Sequence, residues 1–126
     1  MVDWGSITMP QILDSLSKTV KSDFDGKYTF DVVIFDDDGN ESGAYNVIVE
    51  PGKVEWADGL SGDDEAVPFH LKRGGLETMK ALQVEGLGAA IRFMFDGSIY
   101  TTNIKGAEKW FELFELGEEA LEKALS

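Results

Sequence analysis

A chain of 126 residues can enclose one hydrophobic core but not two, and a hydrophobic share of 43% places it among folded rather than disordered sequences. Its 24 acidic residues against 11 basic ones give a net charge of −13. That charge argues against nucleic acid as a partner and against stable adsorption to an anionic membrane, so at most transient membrane contact is expected. With no cysteine, disulfides, thiolate metal sites and thiol nucleophiles are excluded. No run approaches the ~18 apolar residues of a membrane span, and Met1-Val2-Asp3-Trp4-Gly5 lacks the basic and apolar parts of a signal peptide. A single domain, 1–126, of a soluble cytoplasmic protein is the expectation.

Along the chain, Thr8-Met9-Pro10-Gln11 reads as a capping box with Pro in the first turn. Met9, Ile12, Leu13, Leu16 and Val20 then share one stripe, which predicts an amphipathic helix over 9–21. Tyr28, Phe30, Val32 and Ile34 alternate with polar residues and predict a strand over 27–35. The turn Asp36-Asp37-Asp38-Gly39-Asn40 leads to a second strand, 42–50. Glu50-Pro51-Gly52-Lys53 has the composition of a type II turn and leads to a third strand, 54–57, which carries Trp56. Tight turns make these three antiparallel. Residues 58–65 read as a solvated loop, and 66–71 as a fourth strand in which Pro68 marks an edge or a strand start. Helices follow from Gly74-Gly75 and over 88–95, then a fifth strand over 98–104 and a C-terminal helix from Ala107 with a weak point at Gly117.

The motifs with chemical potential mostly dissolve. Taking Gly39 as the sixth position of an EF-hand loop puts Ile34 first and Tyr45 twelfth, so the acidic run is a turn and no metal site is expected. His70 is the sole histidine, it faces away from Phe69 and Leu71, and no Gly-x-Ser-x-Gly elbow supplies it with a nucleophile. Gly86-Leu87-Gly88-Ala89-Ala90 lacks the third glycine of a dinucleotide loop and no strand precedes it, so no cofactor is expected. With one histidine and no paired acid and base on apolar ground, the chain reads as a non-enzyme. Arg92 lies within the most apolar helix, where it either snorkels to solvent or meets a carboxylate or phosphate headgroup.

What remains is a surplus of apolar surface. Trp110, Phe111 and Phe114 alone would remove about 500 Å² from water on burial, an upper-bound gain of about 12 kcal/mol. Ile91, Met94 and Phe95 take one side of the 88–95 helix, with Ala89 and Phe93 on the other. Such faces build a thick core or, with Met79 and Met94 among the aromatics, the wall of a deformable apolar cavity.

The element order of helix, three-strand meander, strand, two short helices, strand and C-terminal helix resembles the sterol carrier protein type 2 domain. Gly52-Lys53-Val54 is similar to that family's Gly-Lys-Val step, and Phe93-Met94, Gly97 and Ile104-Lys105-Gly106 are similar to its Phe-Met, Gly and Ile-Lys-Gly series. The likeness spans about residues 8–125. It implies an α/β (α+β) fold, a five-stranded, largely antiparallel sheet covered on one face by four to five helices around a hydrophobic tunnel. It further implies binding of a fatty acid, acyl-CoA, phospholipid or sterol without catalysis. Facing direction makes Phe69, Leu76, Met79, Ile91, Met94, Ile99, Trp110, Phe114 and Leu121 the candidate tunnel wall, with Arg92 as a headgroup contact. The competing reading is an accessory interaction subunit or homodimer that uses the aromatic C-terminal helix and has a filled cavity.

Overall fold

The computed structural model describes residues 4–36, 38–72 and 74–125. After a short 3-10 turn at Trp4–Ser6 come helix α1 (Met9–Thr19) and strands β1 (Tyr28–Phe35), β2 (Glu41–Glu50), β3 (Lys53–Asp58) and β4 (Val67–Leu71). Helices α2 (Gly75–Glu85) and α3 (Leu87–Asp96), strand β5 (Ile99–Tyr100), and helices α4 (Ile104–Leu113) and α5 (Glu118–Leu125) complete the chain. The sheet order is β3-β2-β1-β4-β5, with β1 and β4 parallel and the other three pairings antiparallel. The fold is α+β, an open, mixed five-stranded sheet with its helices packed on one face.

Helix α1 starts where its cap predicts. The Gln11 N–H donates to Thr8 Oγ1 at 3.4 Å and the Thr8 N–H to Gln11 Oε1 at 2.8 Å, a cap worth about 1 kcal/mol. It ends at Thr19, short of 21, because Val20 turns extended and bridges Phe114. The Lys21 N–H then donates to the Leu113 carbonyl at 2.8 Å, and the Glu115 N–H to that of Thr19 at 2.8 Å. A β-branched residue is a natural place for that switch.

The strand register decides the two faces of the sheet. Phe30, Val32 and Ile34 of β1, Val47 and Val49 of β2, and Val67, Phe69 and Leu71 of β4 line the helix-covered face and are buried. Trp56 packs edge-on to Tyr45 at 5.9 Å, and its Nε1–H donates to Asp14 Oδ1 at 2.8 Å, tying β3 to α1. In the first hairpin Asp36 Oδ1 accepts from the Asp38 and Asn40 N–H groups at 3.0 and 2.9 Å, a side-chain-locked turn. Asp37 of that acidic run lies outside the described residues. Gly52 has φ of 72°, as a type II turn needs.

The parallel pairing of β1 with β4 requires a connection that crosses the sheet from the β3 edge. Residues 59–66 make it, and Ser61 pins them, donating from its N–H (2.9 Å) and its Oγ (3.1 Å) to the outward-facing Asp31 carboxylate. The stretch expected as a free solvated loop is therefore anchored. Pro68 fits because β5 pairs only with His70 and Leu71, leaving the start of β4 a local edge.

The largest departure from the sequence-based expectation comes after Gly97. The strand foreseen over 98–104 shrinks to Ile99–Tyr100. The Asn103 N–H donates to Thr101 Oγ1 (3.1 Å), while Asn103 Oδ1 accepts from the Gly106 N–H (2.9 Å). A cap thus starts α4 at Ile104, three residues before Ala107. The C-terminal helix is broken at Phe114–Gly117, not merely weakened, with Phe114 extended and Gly117 at φ 130°.

The core centres on Trp110, which meets Phe30 at 5.1 Å, Phe69 at 6.0 Å and Phe114 at 4.8 Å between ring centroids. Its Nε1–H donates to Gln83 Oε1 of α2 at 2.6 Å, so the buried indole is satisfied.

Two glycine substitutions test this packing with opposite signs. A Cβ on Gly106 would sit 2.6 Å from Val67 Cγ2 and 2.7 Å from Asn103 Nδ2. Gly106→Ala is expected to destabilise by about 1–3 kcal/mol, seen as a lower urea midpoint at unchanged slope. Gly88 in α3 has open space around it, so Gly88→Ala is expected to raise stability by about 0.5–1 kcal/mol.

Candidate functional site: an apolar slot beneath helix α3

Helix α3 is held between two glycines in conformations that L side chains resist, Gly86 at φ 72° and Gly97 at φ 82°. It buries only Ala89 and Ala90, while Leu87, Ile91, Met94 and Phe95 remain exposed. Small side chains let its backbone come close to the body, and the large ones stand at the rim of what lies beneath.

Beneath it is a slot of about 90 Å³. Leu87, Ala90, Ile91 and Met94 form one wall, Phe69 and Ile99 of the sheet edge the floor, and Ile104, Ala107 and Phe111 of α4 the other wall. Thr101 and Glu108 are the polar side chains of the lining, which is otherwise apolar. Leu87, Glu108 and Phe111 continue into a shallower groove along α4 of about 530 Å³, where Lys105, Lys109 and Glu112 sit. A larger depression of about 770 Å³ at the α4–α5 break is bordered by Glu115, Glu118, Glu119, Lys21 and Lys123, and its mixed charges face water.

Of the nine wall residues expected from the sequence, four meet at the slot: Phe69, Ile91, Met94 and Ile99. Met79, Trp110 and Leu121 are instead packed solidly, at 1–2% exposure, and Leu76 is half-buried against the same core. Phe114 closes the core against Trp110 and borders the α4–α5 depression. The interior beneath the C-terminal helices is thus filled by aromatic rings, and the free space lies to one side, under α3. Leu87, Ala90, Thr101, Ile104, Ala107, Glu108 and Phe111 were not assigned to the wall from sequence. Ala90 and Ala107 carried a signal, since paired small residues permit either close approach or a gap.

Arg92 does not face the slot. Its guanidinium meets the Glu85 carboxylate through two contacts of 3.3 Å and lies 4.9 Å over the Phe93 ring. Binding a headgroup would mean releasing Glu85, which is feasible because an exposed pair is worth about 0–1 kcal/mol. Among the described residues no three His, Asp or Glu side chains gather to hold a metal ion. No helix among them is long and apolar enough to cross a membrane.

His70 lies on the opposite face of the sheet, between Phe35 (6.0 Å) and Tyr100 (5.8 Å). Lys72 reaches over both flanking rings, at 5.9 and 5.3 Å. Burial first, and then the Lys72 charge, push its imidazole below the ordinary 6.5, against a weaker upward pull from Glu41. The unfolded chain therefore binds this proton more readily than the folded one. The His70 contribution to stability should be intact above 6.5 and decline as pH falls from there toward the folded value. Urea midpoints across that window should fall more steeply in the wild type than in His70→Gln, and a shallower wild-type slope would contradict the assignment.

Comparisons of the chain with protein-family models, with curated proteins and with solved structures each found no match.

Proposed function

We propose that the protein is a non-catalytic lipid-binding or lipid-transfer module that holds one aliphatic chain in the slot between α3, α4 and the β4–β5 edge. The observation that carries this reading is the pairing of an apolar slot with a covering helix that is anchored by two alanines and bounded by two positive-φ glycines. The element order expected from the resemblance to the sterol carrier protein type 2 domain is followed as far as β5, after which two helices, α4 and α5, stand in place of one.

The sizes set the mechanism. A slot of about 90 Å³ is well below the roughly 300 Å³ at which ligand pockets begin, so a guest enters only as α3 moves outward. What opposes that movement is the burial of Ala89 and Ala90 and the packing of the half-buried Phe93 ring against the core. Each buried methylene returns about 0.8 kcal/mol, so a chain of about a dozen carbons can offset association costs and bind in the micromolar range. The polar groups of the lining, Thr101 and Glu108, are too few to impose a geometry on a headgroup. Selectivity then follows tail length: a fatty acid, acyl-CoA, phospholipid or sterol-like molecule differs mainly in how much of it fits.

Titration with a series of saturated fatty acids should show affinity rising about fourfold per added methylene until the slot is full. Ala90→Phe, which fills the slot with apolar atoms, should weaken binding by about tenfold or more while the protein stays folded. Arg92→Gln should change it by less than about threefold. No heat and no co-purifying lipid by native mass spectrometry, in a protein that is folded by circular dichroism, would sink the proposal.

A further inference from the structure

An aspartate followed by glycine can close on itself. The nitrogen of the next peptide attacks the side-chain carboxyl carbon, a five-membered succinimide forms and one water leaves. Water then adds to either ring carbonyl, returning aspartate or giving isoaspartate, in which the backbone runs through the side chain. Glycine favours the attack because it has no Cβ to crowd the ring and the freest backbone. The chain carries four such pairs, Asp25-Gly26, Asp38-Gly39, Asp58-Gly59 and Asp96-Gly97. They differ in how firmly the fold holds the nitrogen that must reach the carboxyl group.

Three of the four glycine N–H groups are held. That of Gly39 donates to the Asp36 carbonyl at 3.0 Å, and that of Gly59 to the Ala44 carbonyl at 2.8 Å. The Gly97 N–H donates to the Phe93 carbonyl at the end of α3, where Asp96 Oδ1 also accepts from the Ser98 N–H at 2.8 Å. Each of these nitrogens must give up a bond before it can turn toward its carboxyl group. Gly26 is different. Its N–H and the Asp25 carboxylate have no hydrogen-bond partner among the described residues. Both residues are exposed, in the irregular connection between α1 and β1. The pair sits between fixed points: the Lys21 carbonyl accepts from the Gly52 N–H at 2.9 Å, and Phe24 meets Tyr28 edge-on at 6.0 Å.

We propose that Asp25 is a modification site, the position at which the folded protein converts to its isoaspartyl form. The Gly26 nitrogen bonds to Asp25 Cγ, and its proton leaves with the carboxyl hydroxyl as water. A water then re-enters at the Asp25 α-carbonyl carbon and breaks the original peptide bond to Gly26. The only co-reactant is the solvent. The oxygen of that α-carbonyl accepts from the Tyr28 hydroxyl at 3.3 Å, so the new carboxylate forms facing the same phenol. The backbone gains one methylene between Asp25 and Gly26. That lengthens the connection beside Lys21, whose N–H ties the end of α1 to the Leu113 carbonyl of α4 at 2.8 Å. Nothing in this step depends on what the slot beneath α3 binds.

The test is incubation of the native protein at neutral pH, below its unfolding transition, with samples digested by trypsin over time. The tryptic peptide 22–27 should split into two species of equal mass and different retention. The species that grows should resist endoproteinase Asp-N before residue 25. Asp38, Asp58 and Asp96 should convert more slowly by about tenfold, as the cost of freeing a bonded N–H requires. In guanidinium chloride all four should convert at comparable rates, because the fold no longer distinguishes them. Asp25→Glu, which would have to close a six-membered ring, should remove the second species and leave the circular dichroism spectrum unchanged. Earlier conversion at Asp38, Asp58 or Asp96 in the native protein would overturn the proposal. So would equal native rates at all four sites, an unconverted Asp25 in the folded chain, or a second species that persists in Asp25→Glu.

Discussion

The hydrogen bond from Trp110 Nε1 to Gln83 Oε1 is the contact on which the remaining structure depends. An indole as buried as Trp110 needs a partner for its N–H, and a buried amide needs one for its oxygen; each satisfies the other, in surroundings that exclude water. The bond joins α2 to α4 and thereby fixes where the largest side chain of the core sits. Phe30, Phe69 and Phe114 then close around it at centroid distances of 4.8 to 6.0 Å. Rings packed this tightly leave no passage. Apolar surface that the C-terminal half carries beyond what this centre absorbs must go elsewhere, and it goes to α3.

Legibility in the sequence followed the range of the interaction. Helix α1 was readable because its cap and its stripe are local, and the meander because Gly39 and Gly52 mark its turns. Alternation in β4 showed that Phe69 and Leu71 point inward and His70 outward. It did not show that β4 pairs in parallel with β1, since a period of two fixes a face and not a neighbour. The start of α4 was misplaced for a competing local reason. Thr101-Thr102-Asn103-Ile104 has strand-like composition, but Thr101 and Asn103 hydrogen-bond the backbone and form a helix entrance.

The candidate site was half legible for a related reason. Facing direction brings Phe69, Ile91, Met94 and Ile99 to one place, yet it cannot say whether inward side chains touch or stand apart, and Met79, Trp110 and Leu121 touch. In α3 both sides are apolar in sequence, so periodicity did not decide which side is buried. Ile91, Met94 and Phe95 look like core, but it is Ala89 and Ala90 that are buried, because only small residues let the helix backbone approach the body.

A solid centre and a thinly attached helix are therefore complementary. Local opening costs what the moving segment has buried, and α3 has buried two alanines and half of the Phe93 ring. Its ends are glycines already in the positive-φ region, so a change of helix angle need not push a side chain through a forbidden conformation. The hydrogen bond at the aromatic centre joins α2 to α4, because neither Gln83 nor Trp110 belongs to α3, while Phe69 is the ring shared between that centre and the slot floor. Under the lipid-binding reading, the smallness of the slot in this closed arrangement keeps water from an apolar floor until a guest displaces α3. Room for a chain is then created beside the Trp110 centre and not within it.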